Sequence, residues 1–309
     1  MTKHSRHDVA IVGGGVIGLA CAEALSRQGR SVCVIERGEL GRAASWAGGG
    51  MLCPLPPDHV PEAIRPLLEE SLALYPGWCE RLQRESGIDP EYWECGADYF
   101  KADGRHLEYP RMAQVRNPRL LKALAGTLRR RGAALREHTE ALGWIEDGGQ
   151  VAGVRTSAGD VAARTVVLAA GAWSASLGAA GIAPAKGQML LLRGAPGELP
   201  RLRIADDVYL IPRRDGHILV GSTVEDAGFD TTPTAQARDL LLARAQRVWP
   251  AAAGLPVVAH WAGLRPRGEE PALGPDPQRA GLYLATGHFR IGITLAPASG
   301  QRIAEQLTF

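Results

Sequence analysis

Gly13, Gly15 and Gly18, in the order G-x-G-x-x-G, are the first residues whose spacing specifies a chemistry, and Glu36 completes the set 23 positions after Gly13. The first glycine lets the chain turn, the second lets backbone approach a pyrophosphate, and the third lets a helix pack on a strand. A helix starting there aims unpaired N–H groups and the positive end of its dipole at the phosphates. An acid closing the second strand accepts hydrogen bonds from an adenosine ribose, and glutamate at that place disfavours a 2′-phosphate. The chemistry is that of a dinucleotide, with NAD and FAD both open on these residues. Glycines recur in many turns, so the inference depends on the elements around them.

Those elements are present. Val9 to Val12 is a short apolar run of the kind a buried parallel strand shows, Val16 to Gln28 is a helix stopped by Gly29, and Ser31 to Ile35 is the next strand. Gly38 to Gly50 is dominated by small residues and is followed by Pro54, Pro56 and Pro57; its glycines allow backbone to lie against a flat ligand. Pro61 to Glu85 has helical spacing with a break expected at Pro76-Gly77, and Tyr92 to Lys101 alternates as a strand. A helix from Asn117 presents Leu120, Leu121, Leu124, Ala125 and Leu128 on one face, and Gly132 ends it before a short strand from Ala133 to Glu137. A hairpin turns at Asp147-Gly148-Gly149, and the apolar strand Thr165 to Ala169 runs into the small-residue turn Ala170-Gly171-Ala172-Trp173. Further strands are expected from Lys186 to Arg193, Val208 to Pro212, His217 to Ser222 and Val257 to Gly263. An amphipathic helix is expected from Thr232 to Trp249. A strand from Gly281 to Thr286, a turn to Gly292 and a helix from Ile293 to Leu307 close the chain. The fold class is α/β.

Composition narrows the class further. A chain of 309 residues with 45% hydrophobic residues can bury a substantial core in one large or two intimately connected domains. A formal charge of +2 offers no argument for nucleic acid or an anionic membrane as partner. The five cysteines (Cys21, Cys33, Cys53, Cys79, Cys95) form no C-x-x-C pair, which implies neither a zinc site nor a disulfide framework and fits a reducing cytoplasm. The same spacing argues against an NADPH-linked disulfide reductase, which needs a redox cysteine pair. No run of about 18 apolar residues stands ready to span a bilayer, and the polar start MTKHSRH does not resemble a signal peptide. No metal ligand set is proposed.

Taken together, VGGGVIG (12–18), Glu36, RAASWAGGGM (42–51), TVVLAAGAWS (165–174), KGQM (186–189), VYLIPRRDGHILVGST (208–223), AGLRP (262–266) and GHFRIGITLAPASG (287–300) resemble the D-amino-acid oxidase-like family of FAD-dependent oxidoreductases. Within that family the likeness is strongest to the glycine oxidases of thiamine biosynthesis. The resemblance implies FAD as cofactor. It also implies a discontinuous Rossmann-like FAD domain (1–53, 117–185 and 266–309) and a substrate domain (54–116 and 186–265) on a mixed, largely antiparallel sheet. By the same resemblance the cofactor is contacted by Gly13, Gly15, Val16, Ile17, Gly18, Glu36, Arg37, Ala43, Ala44, Gly49, Gly50, Met51, Ala141 and Gly171. His288, Phe289, Arg290, Ile291, Gly292, Ile293 and Thr294 would wrap the flavin ring, with the start of the last helix facing its pyrimidine edge.

The catalytic set the resemblance implies is Arg265, Tyr209 and Arg290. Arg265 would grip an amino-acid carboxylate in the two-pronged geometry a guanidinium offers, Tyr209 would help hold it, and Arg290 would lie near flavin and substrate. The implied reaction is oxidative deamination of glycine or a similar small amino acid or amine. Hydride passes to flavin N5, the imine is hydrolysed to oxo acid and ammonia, and O2 is reduced to hydrogen peroxide. The alternatives are a D-amino-acid or imino-acid (proline-like) dehydrogenase with a quinone or protein acceptor, and a non-catalytic FAD-binding subunit. A homo-oligomer is implied by analogy alone. No side-chain base is nominated, because orientation and the flavin supply the chemistry. Ile291 stands where the glycine oxidases usually carry asparagine, Trp46 and Gly48 to Gly50 alter the loop beside the flavin, and the chain is shorter on the substrate side.

Overall fold

The computed structural model describes residues 6–52 and 60–307; the expectations at Cys53, Pro54, Pro56 and Pro57 lie outside them. β1 (His7–Val12) buries Val9 to Val12 in succession, as a strand covered on both faces must. α1 (Val16–Arg27) buries Val16, Leu19, Cys21, Ala22 and Leu25, and the chain reverses through Gly29 into β2 (Val32–Ile35), parallel to β1. A short helix, α2 (Ala44–Ala47), and β3 (Met51–Leu52) follow.

α3 (Arg65–Ser86) runs straight through Pro76-Gly77, where a break was expected. A proline inside a helix removes one hydrogen bond and clashes with an upstream carbonyl, at a cost of about 3 kcal/mol. Packing on both sides of Pro76 offsets it. Ser71 Oγ donates to the Thr294 carbonyl at 2.7 Å, the buried Tyr75 donates its hydroxyl to the Ile293 carbonyl, and Trp78, Cys79 and Leu82 are buried beyond the proline. The expected strand Tyr92 to Lys101 is instead two, β4 (Trp93–Glu94) and β5 (Ala97–Phe100), separated at Gly96 with φ of 71°. β6 (His106–Tyr109) and β7 (Ala113–Gln114) were not foreseen.

α4 (Asn117–Arg130) presents the expected leucine face, with Leu120, Leu121, Leu124 and Leu128 all buried. β8 (Ala134–Arg136), the hairpin β9 (Ala141–Asp147) and β10 (Gln150–Thr156), and β11 (Val161–Leu168) complete the first half. The second half holds β12 (Ala183–Arg193), β13 (Leu202–Ala205), β14 (Val208–Pro212), β15 (His217–Gly221) and α5 (Ala235–Val248), whose N-cap Thr234 accepts from the Ala237 N–H. β16 (Val257–Pro275), β17 (Leu282–His288) and α6 (Gly292–Gln306) end the described chain. β16 continues 12 residues past Gly263, where the expected strand ends.

The main sheet runs β6-β5-β13-β14-β15-β12-β16-β17-β11-β1-β2-β8, with β10 and β9 branching from β11. From β17 to β8 the pairing is parallel, flanked by α1, α4 and α6. From β16 to β14 it is antiparallel, and β13 pairs β5 in parallel. This is α/β architecture: a parallel half, with helices on one face and the β9–β10 hairpin on the other, joined to a mixed half. Helices α1, α3 and α4 are fastened by Glu23, 2% exposed, which takes Arg81 at 3.4 Å, Arg131 at 3.2 Å and the Trp78 indole N–H at 3.2 Å. Charges buried this deeply persist where partners satisfy them.

Candidate active site

One cleft crosses the carboxyl ends of the parallel strands, the place where open α/β sheets bind ligands. It runs from Thr139, Glu140 and Ala141 at one end, past the glycine turn, to Arg265 and the start of α6 at the other. The space between its walls, open solvent included, is about 1420 Å³. The space suits an extended dinucleotide.

At the adenosine end the glycines act through close approach. Gly13 has φ of +111°, and a Cβ there would overlap the Ala169 carbonyl; a Cβ at Gly18 would overlap the Gly13 carbonyl and push α1 off β1. α1 starts from Gly15 with no side-chain cap and no acid in its first turn, so no carboxylate competes with a phosphate. Glu36 is held by two backbone donors, Gly14 N–H at 2.8 Å and Gly38 N–H at 2.9 Å. Each carboxylate oxygen keeps a second acceptor site, which a ribose hydroxyl can use. Arg37 lies 3.6 Å above the centre of the Trp173 ring, and Trp173 stacks on Phe229 with centroids 5.4 Å apart. That column borders the cleft by a cation–π contact.

At the other end, β17 leads through a short 3-10 turn, Phe289–Ile291, directly into α6. No side chain caps α6, and its first N–H groups open toward the cleft at Gly292 and Ile293. A helix start so placed favours negative charge on whatever lies against it. His288, 2% exposed, borders the cleft with Nε2 3.0 Å from Ser299 Oγ, and burial pulls its pKa down to about 4. The imidazole is neutral at pH 7. Its contribution to stability is full above the unfolded value near 6.5 and is lost as pH falls toward 4, a span of about 3 kcal/mol. The melting temperature of the wild type is accordingly expected to fall more between pH 7 and pH 5 than that of His288→Gln. Equal slopes in the two pH series would show that His288 does not titrate between folded and unfolded states in this window.

Arg265 projects from the middle of β16. Its Nη2 donates to Ser222 Oγ at 2.8 Å and its Nη1 to the Thr223 carbonyl at 3.1 Å, and among the described residues no acid pairs with it. The guanidinium rests on Gly187, where a Cβ would collide with it. Burial lowers its pKa, Tyr209 works against that, and the neighbouring Arg290 cation adds to it. A half-buried, pre-oriented cation with donors to spare is a receptor for a carboxylate. Arg290 is exposed at the cleft and likewise has no acid paired with it among the described residues.

Of the residues expected to form the site, Gly13, Gly15, Val16, Ile17, Glu36, Arg37, Ala43, Ala44, Ala141, Gly171, Arg265, His288, Phe289, Arg290, Gly292 and Ile293 border this one cleft. Gly18 sits behind the turn, packed on β1. Gly49, Gly50, Met51 and Thr294 form the layer behind: Thr294 Oγ1 donates to the Met51 carbonyl at 3.3 Å, and Gly50 presses on Val115 and Asn117. Tyr209 stands at the edge, its ring over Gly49 and Gly221 and its hydroxyl donating to Met189 Sδ at 3.3 Å. Ile291 turns away from the cleft into the apolar cluster of Val60, Ile64 and Leu67, which accounts for an apolar residue at that place.

Sequence reasoning passed over four contributors. Ser45 Oγ accepts the Val16 N–H at 2.9 Å, fixing the loop after β2 against the start of α1. Ser222 orients Arg265. Met189 touches Tyr209. Arg213, 6% exposed, donates to Gln114 Oε1 at 2.6 Å, the Val115 carbonyl at 2.9 Å and the Gly49 carbonyl at 2.7 Å. The one available signal was an arginine directly after the apolar run of β14, where the chain had no reason to bury a charge.

Comparison with known proteins shows the family and the fold. The family described as "DAO: FAD dependent oxidoreductase" matches residues 8–106 and 97–306. The chain is 41% identical over 343 residues to "Glycine oxidase" of Pseudomonas aeruginosa, covering 97% of this chain and 94% of that protein. It is 34% identical to "Bifunctional protein ThiO/ThiG" of Trichormus variabilis, covering 96% of this chain and 52% of that protein. The crystal structure of glycine oxidase from Geobacillus kaustophilus superposes with a TM-score of 0.93 at 32% identity, covering 98% of this chain and 94% of that one. No helix among the described residues is long and apolar enough to cross a membrane. The dinucleotide cleft, the family match along nearly the whole chain and the shared fold lead to one statement: this chain belongs to the DAO family of FAD-dependent oxidoreductases.

Proposed function

We propose that the chain catalyses the oxidative deamination of glycine or a similarly small amino acid, with dioxygen as acceptor, and that it serves thiamine biosynthesis as the resemblance in its sequence implies. The observation that carries this reading is Arg265: a half-buried guanidinium at the cleft, held by Ser222 and Thr223 and without an acidic partner among the described residues. FAD, when bound, supplies the acceptor for two electrons from the substrate and passes them to dioxygen.

The chain's own residues supply orientation. Arg265 holds the substrate carboxylate by paired charged hydrogen bonds, and Tyr209 turns its hydroxyl from the Met189 sulfur to the same group. Two points of attachment fix the α-carbon against the ring position, which converts an encounter into an aligned pair. The start of α6 would favour negative charge on a flavin ring held against it, with His288 beside it neutral at pH 7. Cofactor contacts fall to segments 1–53, 117–185 and 266–309 in this reading, and substrate contacts to 54–116 and 186–265. A cytoplasmic setting suits the free thiols of Cys21, Cys33, Cys79 and Cys95.

The test is anaerobic mixing of the purified holoprotein with glycine, sarcosine, D-amino acids and proline while the flavin absorbance is followed. Glycine is expected to bleach it. Failure of every amine in the panel to do so would remove the assignment. Peroxide release in aerated buffer, set against reduction of an artificial dye, separates an oxidase from a dehydrogenase.

A further inference from the structure

Side chains at alternate positions of a strand share a face, and cross-strand partners on that face touch. Register places Tyr209 opposite Gly221, Gly221 opposite Met189, and Met189 opposite Trp261, a single row across β14, β15, β12 and β16. Two residues along, Gly187 lies opposite Gly263, and both border the cleft with Met189 and Arg265. The intervening Lys186 and Gln188 face the other way, toward Asp230 and Glu225. Met189 therefore stands on the site-facing side of the sheet, 1% exposed.

Its surroundings fix where the thioether points. A Cβ at Gly221 would overlap Met189 Sδ and come within 2.7 Å of the Tyr209 ring; a Cβ at Gly49 would lie 3.3 Å from that ring and 3.7 Å from Met189 Cε. The thioether thus fills the space that Gly221 and Gly49 leave empty, beside the Tyr209 hydroxyl. A carboxylate shared by Arg265 and Tyr209 sets its α-carbon two bonds beyond the oxygen that accepts from that hydroxyl, which puts a carbon attached there within reach of the Met189 sulfur and methyl.

We propose that Met189 is a specificity-determining residue, the wall that restricts the site to substrates without a side chain on the α-carbon. This rests on the amino-acid oxidase reading above and names its selective element. A thioether is flexible and a weak acceptor, so it also releases the Tyr209 hydroxyl to an arriving carboxylate at little cost.

The experiment compares kcat/KM for glycine and for both alanine enantiomers in wild type, Met189→Ala and Met189→Leu. In parallel, Kd values for acetate and propionate are read from the visible spectrum of the oxidised flavin. Removing the wall is expected to raise the alanine-to-glycine ratio for the preferred enantiomer by about tenfold or more, the scale of one methylene in an apolar pocket. The propionate-to-acetate binding ratio should move in parallel. Met189→Leu conserves volume and should leave both ratios within about threefold of wild type. Ratios in flavin-loaded Met189→Ala that stay within threefold of wild type overturn the proposal, as does a Met189→Leu variant that relaxes as much as Met189→Ala. Should wild type oxidise neither glycine nor alanine, the functional reading fails by itself, and the acetate and propionate constants still decide whether Met189 is the wall. Should Met189→Ala not accumulate as folded protein, Met189→Val takes its place with the same criterion.

Discussion

Arg265→Ala is expected to keep its FAD and to lose about 10²- to 10⁴-fold in kcat/KM for glycine, two hydrogen bonds to a charged group each contributing about 1.5–3 kcal/mol. Cofactor retention follows from the position of Arg265, held by Ser222 and Thr223 at one extremity of the cleft and far from the glycine turn that grips the phosphates. Removing a cation that burial disfavours should change the melting temperature little, since one of its two partners is a hydroxyl that can rotate. Arg265→Lys should recover little, because an ammonium cannot present two parallel donors to a carboxylate while also holding Ser222. Steady-state kinetics with a flavin-to-protein absorbance ratio give the answer, and unchanged kcat/KM in a flavin-loaded Arg265→Ala would falsify the carboxylate role.

Arg213→Met carries the largest expected effect on stability. The guanidinium is buried, yet its three contacts are to an amide oxygen and two carbonyls, none of them charged. Burial, and after it the charge of Arg116, brings its pKa down to about 10, so it remains a cation at neutral pH. Methionine fills much of the volume but leaves three buried acceptors unpaired, each worth about 1–3 kcal/mol. A loss of about 3–6 kcal/mol is expected, which at this chain length is on the order of 10 °C in melting temperature. One of those acceptors is the Gly49 carbonyl, so the loop that backs the flavin end loosens as well. FAD should wash out on gel filtration more readily than from wild type. A Met variant that melts with wild type and keeps its flavin would show that water satisfies the three carbonyl groups in place of Arg213.

What could be read along the chain divides by the range of the interactions. The glycine turn was legible because close approach demands the absence of side chains at Gly13 and Gly18, and Glu36 is positioned by two neighbours in its own segment. The face of α4 was legible because its leucines repeat at helical spacing. The continuity of α3 through Pro76 was not, since it is maintained by contacts to Thr294 and Ile293 more than 200 positions away. Met189, Ser222 and Arg213 take their roles from cross-strand register, and a slip of one residue would turn each to the opposite face. Arg265 and Tyr209 were reached through resemblance; strand periodicity by itself marks them as ordinary members of β16 and β14. Ile291 shows the converse, a position expected at the flavin whose side chain is claimed by α3 and its neighbours.

β16 gives Arg265 an unusual seat. Over its first half the strand is bonded along one edge to β12, and toward its end along the other edge to β17, the change of partner falling at Arg267. Between the two ladders residues 268–271 have no register partner in either strand, so the tie is one continuous chain with a short irregular joint. The same tie couples the melting of one half to the other: calorimetry should record one heat-absorption peak, and neither half, expressed alone, has a complete edge on which to fold.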